Sequence, residues 1–352
     1  MGELRVAWWN LQNLFDTDDD PISADLDFTV EEGWTPEVYA AKKANLAAAI
    51  NELHDGRGPE LLGVAEVEGD AVFGELLDAI GNAHLRVVVD EKRSSDLRGI
   101  DVGLAYDERK LTPVETRSHV VHLRYATRDI FEVVFELRET GEQLVVIACH
   151  WPSRRQGRWR SEPFRIAAAE NVGYIVRDHV RLDAQAYLEA KAADDLAAVQ
   201  AKWETKVLIM GDLNDEPADR SLVEHLQASS ELDRVLGPTN EIRAFRAEVA
   251  AYRGDDTFLY NASWKFFGPE NTGTFFIDST ADEAFANRYQ VLDQLIVTRG
   301  LLAPGGLRLD LDSVAIHATP TVATPSGRPR GFDRRTRKGT SDHLPVVARL
   351  AY

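Results

Sequence analysis

The sequence GTSDHLPVVARL, residues 339–350, places Asp342 and His343 directly before a Val-rich run that has the composition of a β-strand. Four other strand-like runs carry polar residues at the opposite end, where the run stops. They are LRVAWWN (4–10), ELLGVAE (60–66), LVVIACH (144–150) and KVLIMGDLN (206–214), which close on Asn10, on Glu66, on His150, and on Asp212 with Asn214. Only the run at 339–350 has its polar pair, Asp342 and His343, in front of the apolar residues.

This reversal predicts how the strands are arranged. If the last strand is antiparallel to the strands that end in polar residues, its first residues lie beside their last residues. All of the polar side chains then gather at one edge of a sheet, which is a common way to build a functional site. Asp293 lies inside a further strand-like run, YQVLDQLIVT (289–298), and we expect it to join the same edge.

Helical patterns alternate with the strands, for example at 40–51 and 165–177. The stretch 181–205 is rich in Ala, Leu, Glu and Lys and has apolar residues at helical spacing. We expect this stretch to extend the preceding helix as a peripheral insertion without a catalytic role.

Composition excludes several classes of protein. The chain has 352 residues, 44% of them hydrophobic, and no apolar run long enough for a membrane span. We expect a soluble, cytoplasmic protein without an export signal. Its single cysteine, Cys149, excludes an intrachain disulfide and a multi-cysteine metal site. The acidic stretch 16–27 lacks the glycine and glutamate that an EF-hand loop requires, so we expect a solvated loop there.

The net charge of −18 argues against a protein that coats nucleic acid with basic groups, but the charge is unevenly spread. Residues 153–165 contain five arginines and one glutamate, and residues 328–338 contain six basic residues and one aspartate. Both stretches are interpreted either as solvated loops or as anion-attracting parts of a site, because one follows His150 and the other precedes His343.

The polar residues at the predicted edge offer carboxylate and amide oxygens together with two imidazoles. This set of donors favours Mg²⁺ or Mn²⁺ over metals that prefer sulfur ligands. The sequence contains no zinc-type His-x-x-x-His pattern and no Walker-type phosphate loop. Phosphoester hydrolysis fits these residues, because it needs a metal and cationic donors for the phosphate, a base for water, and assistance for the leaving oxygen.

The ordered motifs of this chain resemble those of the endonuclease/exonuclease/phosphatase superfamily. They are residues 9–13 (WNLQN), Glu66, His150, residues 211–214 (GDLN), Asp293 and residues 341–343 (SDH). The resemblance runs from Asn10 to Val347. It implies a four-layer α/β sandwich, with two mostly antiparallel β-sheets packed face to face between outer helices. It also implies a single catalytic domain over 1–352, with 181–205 as an insertion.

The resemblance further implies a magnesium or manganese site. Glu66 would be the main metal ligand, and Asn10 would support the metal or the phosphate, since a carboxylate and an amide oxygen are suitable hard donors. Asp342 would face the same metal edge, through water or a second ion. Glu66 and Asn10 are alternatively buried polar strand ends.

Catalytic roles are implied for four other residues. His343 would bind the phosphate or act as the base toward water, while Asp293 fixes its tautomer by accepting the other ring N–H. Asp212 would orient the water or assist the leaving group, and Asn214 would donate its amide N–H to a phosphate oxygen. Asp212 and Asn214 are alternatively turn formers after a strand.

His150 departs from part of the family pattern. AP-endonuclease-like members typically have tyrosine there, followed by Pro-Asn, whereas this chain has Trp-Pro-Ser after His150. The departure weakens an abasic-site repair function. Histidine resembles the deoxyribonuclease, sphingomyelinase and inositol-phosphatase branches, where it serves the phosphate or the leaving group. The remaining substrate-binding candidates are Arg98 and Asp101, in the family-like strand RGIDVGLAY, and Arg154 and Arg155 in the first basic stretch.

These observations predict a divalent-metal-dependent phosphodiesterase or nuclease that acts on nucleic acid or a nucleotide-like molecule. The first alternative is a phosphomonoesterase or a lipid-headgroup hydrolase of the inositol-phosphate or sphingomyelin type. The second is a non-catalytic binding module on the same fold, which would require a broken set of catalytic residues. No obligate protein partner is indicated by the sequence.

Overall fold

The computed structural model describes residues 2–19, 25–89, 98–124, 126–155, 157–237, 258–278 and 288–352. The strands are β1 (Glu3–Leu14), β2 (Leu61–Val67), β3 (Leu85–Val87), β4 (Asp101–Asp107), β5 (Leu111–His119), β6 (Ile130–Leu137), β7 (Gln143–His150), β8 (Val207–Asp212), β9 (Ala228–Ser229), β10 (Leu259–Asn261), β11 (Phe275–Phe276), β12 (Tyr289–Gln290), β13 (Asp293–Val297), β14 (Arg308–Ile316) and β15 (Val346–Ala351). The α-helices are α1 (Pro36–Gly56), α2 (Asp70–Ile80), α3 (Arg158–Val180), α4 (Ala184–Ala192), α5 (Leu196–Trp203) and α6 (Leu232–Leu236). No helix among the described residues has both the length and the apolar character to cross a bilayer.

Two large sheets dominate the fold. One has the strand order β14-β15-β1-β2-β4-β3, and the other has the order β5-β6-β7-β8-β13-β10-β9. Most neighbouring strands are antiparallel, and the exceptions are the parallel pairs β1–β2, β7–β8 and β9–β10. Strands β11 and β12 form a separate small hairpin-like pair.

Three hydrophobic clusters divide the molecule into four layers. The central cluster lies between the sheets and joins residues such as Trp8 of β1 and Met210 of β8. A second cluster fills the space between the first sheet and helices α1 and α2, and a third lies between the second sheet and α3. The layers are therefore helix, sheet, sheet, helix, and the predicted four-layer α/β sandwich is confirmed.

Strand β1 shows how the sequence builds two of these layers. Its alternate residues Leu4, Val6 and Trp8 enter the cluster between the sheets, while Ala7 and Trp9 enter the cluster under α1 and α2. This alternation follows from the two-residue period of side chains along a strand. Both faces of the strand are apolar because both are covered.

The insertion at 181–205 does not extend the preceding helix, contrary to the sequence-based expectation. Helix α3 ends at Val180, and the following residue, Arg181, has an extended backbone. Asp183 then caps α4, because its side chain accepts a hydrogen bond from the backbone N–H of Ala186. The stretch forms the two short helices α4 and α5, which contact each other through Tyr187 and Val199.

The predicted strand ends are correct for two strands and wrong for two others. Strands β7 and β8 end at His150 and Asp212 as expected. Strand β1 continues past Asn10 and β2 passes Glu66, because the pairing of these strands is interrupted by irregular residues and then resumes. The reversed last strand is confirmed: β15 is antiparallel to β1, and its start at Val346 lies beside the site-bearing half of β1. The expectation of one shared sheet edge is wrong, because Asn10 and Glu66 lie on the first sheet, whereas His150, Asp212 and Asp293 lie on the second.

Candidate active site

His343 and Asp293 form the best-defined contact of the site. Nδ1 of His343 lies 2.6 Å from Oδ2 of Asp293, and Oδ1 of Asp293 accepts a 2.9 Å hydrogen bond from the indole N–H of Trp8. Burial opposes the charged form of the imidazole, but the carboxylates of Asp293 and Asp212 outweigh it and hold the His343 pKa well above its ordinary value. The ring is therefore an oriented cation.

Three neighbouring strands deliver acidic and imidazole groups at one level. In the register of the second sheet, Asp212 at the end of β8 is paired with His150 on one side and with Asp293 on the other. Gly211 permits this close approach, because a Cβ there would lie 2.6 Å from the carbonyl oxygen of Cys149. Asp293 is the first residue of its strand, not an interior one as the sequence suggested.

Asp212 is at the centre of the site and is fully buried. Its Oδ2 accepts a 3.0 Å hydrogen bond from the amide of Asn10, and its Oδ1 accepts one of the same length from the backbone N–H of Asn214. Nε2 of His343 lies 3.9 Å from Oδ2 of Asp212. Burial, together with the charge of Asp293, raises the pKa of Asp212 to about 6. Such a carboxyl group exchanges protons near neutral pH.

His150 differs from His343 in its protonation state. Its Nε2 lies 3.5 Å from Oδ2 of Asp212 and 3.8 Å from Oε1 of Glu66. Burial and the positive charges of Arg128 and Arg98 lower the pKa of His150 well below its ordinary value. The site thus contains one neutral and one charged imidazole at neutral pH.

Glu66 reaches the site through an unusual backbone conformation. Its φ angle is +62°, in the left-handed region that non-glycine residues rarely adopt. Gln12 and Asn13 in the neighbouring β1 are also left-handed, and the backbone N–H of Asn13 donates a 3.0 Å hydrogen bond to Oε2 of Glu66. These irregular residues turn Glu66 out of the regular alternation of its strand.

A fully buried lysine lies beside the acidic groups. Nζ of Lys42, in α1, donates to the backbone carbonyls of Gln12 at 2.9 Å and Thr340 at 3.1 Å. Burial lowers the pKa of Lys42 to about 7, against the attraction of Asp342 and Glu66. In turn, burial and the charge of Glu66 raise the pKa of Asp342. Two carboxyl groups thus share a poorly solvated region.

This donor set fits a divalent metal ion. Glu66 and Asp342 supply carboxylate oxygens whose mutual repulsion a bound cation would relieve, and such oxygens are the ligands that Mg²⁺ prefers. Asn10 fits less directly. Its amide oxygen accepts a hydrogen bond from the backbone of Gln12, and its amide nitrogen donates to Asp212.

Asp212, Asp293 and His343 are a second set within reach of one metal ion. Among the described residues they are the one group of three acidic or histidine side chains whose ligand atoms all lie within 4.8 Å of one another. Asp293 and the Nδ1 atom of His343 are already hydrogen-bonded to each other, and Trp8 holds the other oxygen. A metal there would have to break this bond, so the Glu66 side fits a cation better.

The two arginines predicted to bind substrate have different surroundings. Arg154 is held by protein groups: its guanidinium contacts Asp215 at 2.9 Å and Asp219 at 2.6 Å, and it also donates to the backbone carbonyl of Asn214. Arg155 is exposed, and its positive charge contributes to lowering the pKa of His150. Arg154 therefore supports the loop after β8, while Arg155 faces solvent beside the site.

The other predicted substrate residues lie at the edge of the site. Arg98 and Asp101 are both half-buried, and Asp101 begins β4 opposite Val67. The positive charge of Arg98 acts on His150. Asn214 uses one amide N–H to donate to the carbonyl of Trp151 at 3.0 Å, so it also joins the loops after β7 and β8.

Sequence reasoning missed three groups that hold the site in place. They are Trp8, Lys42 and the Asp215 carboxylate, which bonds Ser221 and Arg165. The burial of Lys42 could have been predicted from its position in the sequence. It lies four residues after Val38 and four before Leu46, on the buried face of α1, where an unpaired lysine would be very costly.

The chain thus combines a four-layer α/β fold with carboxylate and imidazole groups buried in one candidate site. A family model described as "Endonuclease/Exonuclease/phosphatase family" matches residues 5–188 and 177–269. The chain therefore belongs to the endonuclease/exonuclease/phosphatase family, whose members hydrolyse phosphoester bonds and typically depend on divalent metals. A comparison with curated protein sequences finds no match.

Several solved structures share this fold at low sequence identity. A mannosyl-6-phosphatase from Bacteroides thetaiotaomicron VPI-5482 is 13% identical with a TM-score of 0.56, over 99% of this chain and 100% of that chain. D. rerio TDP2 complexed with single strand DNA product is 12% identical with a TM-score of 0.56, over 100% of both chains. The human Nocturnin catalytic domain with bound sulfate anion is 13% identical with a TM-score of 0.53, over 99% and 94%.

Proposed function

We propose that this chain is a single-domain, divalent-metal-dependent phosphodiesterase that cleaves nucleic acid or a nucleotide-like substrate by attack of water. The observation that carries the proposal is the bond between His343 and Asp293 beside the buried Asp212. It brings an oriented cation next to a proton-exchanging carboxyl group, and Glu66 and Asp342 add metal-binding oxygens to the same region.

Glu66 and Asp342 would hold Mg²⁺ or Mn²⁺, with Asn10 in a supporting position. When bound, such an ion neutralises charge on the phosphate and makes nearby water more acidic. Lys42 fixes the backbone next to Asn10 and next to Asp342, since it donates to the carbonyls of Gln12 and Thr340.

The charge states favour one of the two roles predicted for His343. Because its pKa is raised well above the ordinary value, His343 is protonated at neutral pH and donates its Nε2–H to a phosphate oxygen. Asp212, with a pKa of about 6, is the better group to take a proton from the attacking water. The neutral His150 has its Nε2 3.5 Å from the same Oδ2 atom of Asp212.

Hydrolysis assays separate this proposal from its alternatives. Purified protein is incubated with bis-p-nitrophenyl phosphate, p-nitrophenyl phosphate or plasmid DNA, in Mg²⁺, Mn²⁺ or EDTA. Cleavage of the diester or the DNA is expected, with loss in EDTA and a decrease in kcat of roughly 10²–10⁴ in His343→Ala. Cleavage of the monoester alone would replace the proposal by a phosphomonoesterase, and unchanged kcat in His343→Ala would remove His343 from the site.

A further inference from the structure

Trp159 has the largest exposed fraction of the seven tryptophans of the chain. Its side chain is 70% exposed at the start of α3. Five of the other six tryptophans are buried, and Trp264 is half-buried. Single exposed apolar residues are common on protein surfaces, so what makes this ring a candidate for contact with another molecule is its surroundings.

The backbone that carries Trp159 is anchored to the candidate active site. Arg154 donates to the carbonyl of Asn214, and Arg158 forms an ion pair with Asp219 in the loop that follows β8. Exposed Arg155, in the same stretch, acts electrostatically on His150. The segment that carries Trp159 is therefore fixed to the loop carrying Asn214.

The segment around Trp159 is rich in arginine, although the chain as a whole is strongly acidic. The guanidinium of Arg158 lies 5.2 Å from the centre of the indole ring, and Arg155 and Arg160 are exposed nearby in the sequence. The net charge of the chain is −18. An exposed ring with arginines around it matches a ligand that combines flat bases with phosphates.

We propose that Trp159, Arg155 and Arg160 form a surface that binds an unpaired nucleotide next to the scissile phosphate, so that the enzyme prefers single-stranded nucleic acid. This inference rests on the proposed phosphodiesterase function. The indole ring stacks on a base, and the arginines bind the neighbouring phosphates. A duplex fits less well, because its base faces are already covered by neighbouring base pairs.

A protein partner fits this surface less well than a nucleic acid does. Among the described residues of 153–165, Trp159 is the one large hydrophobic side chain that is exposed. Protein interfaces have an apolar core formed by several residues, whereas a single ring surrounded by arginines does not supply one. A second copy of this chain is therefore an outcome to test and not the expected occupant.

Binding is measured by fluorescence anisotropy with a fluorescein-labelled 12-nucleotide single-stranded DNA. All proteins carry His343→Ala, so that the probe stays intact. Trp159→Ala is expected to raise Kd about tenfold, and Trp159→Phe, which keeps a stacking face, is expected to raise it less. Tyr174→Ala is the matched control. Tyr174 is also an exposed aromatic of α3 with an arginine over its ring, but it contacts Arg177 away from the anchored loop.

Cleavage assays distinguish a failure of this inference from a failure of the proposed phosphodiesterase function. In proteins with His343 intact, Trp159→Ala should lower the ratio of oligonucleotide cleavage to bis-p-nitrophenyl phosphate cleavage about tenfold, through KM. Tyr174→Ala should keep the wild-type ratio. If wild-type protein cleaves neither substrate, the proposed function fails. If it cleaves both and Trp159→Ala keeps the wild-type ratio and Kd, the inference is overturned.

Two further results would overturn the inference. Equal affinity for a blunt duplex of the same sequence, with the same loss in Trp159→Ala, would show that the surface does not select unpaired bases. A dimer in size-exclusion chromatography that Trp159→Ala converts to monomer would show that a second copy of the chain covers the ring.

Discussion

Asp293 Oδ2 lies 2.6 Å from Nδ1 of His343, although the two residues are 50 positions apart in the chain. The other carboxylate oxygen is bonded to the indole of Trp8, so neither the carboxylate nor the ring can turn without breaking a hydrogen bond. This arrangement sets both the direction of Nε2, toward Asp212, and the charge of the imidazole.

Replacing Asp293 by Asn should therefore change the titration of His343. Burial favours the neutral ring, and Asp293 is the largest influence that opposes it, so the His343 pKa is expected to fall in Asp293→Asn. The charged imidazole is then lost at a lower pH than in the wild type, and kcat at neutral pH should decrease roughly 10²-fold. NMR titration of the His343 ring protons and the pH dependence of kcat measure the two effects.

Asp310→Asn is the control for this substitution. Asp310 lies on β14 and pairs with the surface residue Arg349, so its loss should leave the His343 titration unchanged. An unshifted His343 pKa in Asp293→Asn would contradict the assigned role of Asp293.

Replacing Glu66 by Gln should weaken metal binding without unfolding the protein. Glutamine keeps the size of the side chain and can still accept the hydrogen bond from the N–H of Asn13, but it removes the charged metal ligand. We expect Mg²⁺ affinity, measured by isothermal titration calorimetry, to fall at least about tenfold, with an unaltered far-UV circular dichroism spectrum. Glu224→Gln, at an exposed position, should bind Mg²⁺ normally. Normal affinity in Glu66→Gln would exclude Glu66 as a ligand.

Replacing Lys42 by Met should destabilise the fold. Methionine fills a similar volume but leaves the carbonyls of Gln12 and Thr340 without the donor that they have in the wild type. The free energy of unfolding, from urea denaturation, is expected to decrease by about 1–3 kcal/mol. Lys43→Met is the matched neighbour, because Lys43 pairs with the exposed Glu75, and its loss should cost less than about 1 kcal/mol. Equal effects of both substitutions would show that Lys42 has no special structural role.

Glu132 should make the stability of the protein depend on pH in the acidic range. Burial alone would raise the pKa of Glu132, but hydrogen bonds from His119 and His179, at 2.7 and 2.8 Å, outweigh it and lower the pKa to about 2. A carboxylate with a lowered pKa stabilises the fold above its unfolded value of about 4.5, and this contribution disappears as the pH falls toward 2.

Comparison of wild type with Glu132→Gln tests this dependence. The wild type should be the more stable protein at pH 7, and the difference in the free energy of unfolding should shrink between pH 5 and pH 2. Glu136→Gln, four residues further along β6 and exposed, should show no such change. A difference that stays constant with pH would mean that the pKa of Glu132 is not lowered.

Much of the fold and of the candidate site was predictable from the sequence. The runs of β-branched and apolar residues in 144–150 and 206–214 form strands that end where predicted, because a buried strand stops where its polar cap begins. The reversed order in 339–350 predicted an antiparallel last strand, and the structure confirms it. The four-layer architecture itself came from the family resemblance and not from periodicity.

Sequence by itself determined which residue types stand at or near the ends of the strand-like runs, and hence that carboxylates, amides and imidazoles are available to one site. The structure brings them together from both sheets and not at one edge of a single sheet. Tertiary structure alone decided which of them touch. Three features of the site depend on segments that are far apart in the chain. They are the left-handed backbone at Glu66, the bond from Trp8 to Asp293 and the burial of Lys42. The charges and directions of the site side chains follow from the packing of two sheets and a helix, because burial and neighbouring charges shift the pKa of a side chain from the ordinary value of its residue type.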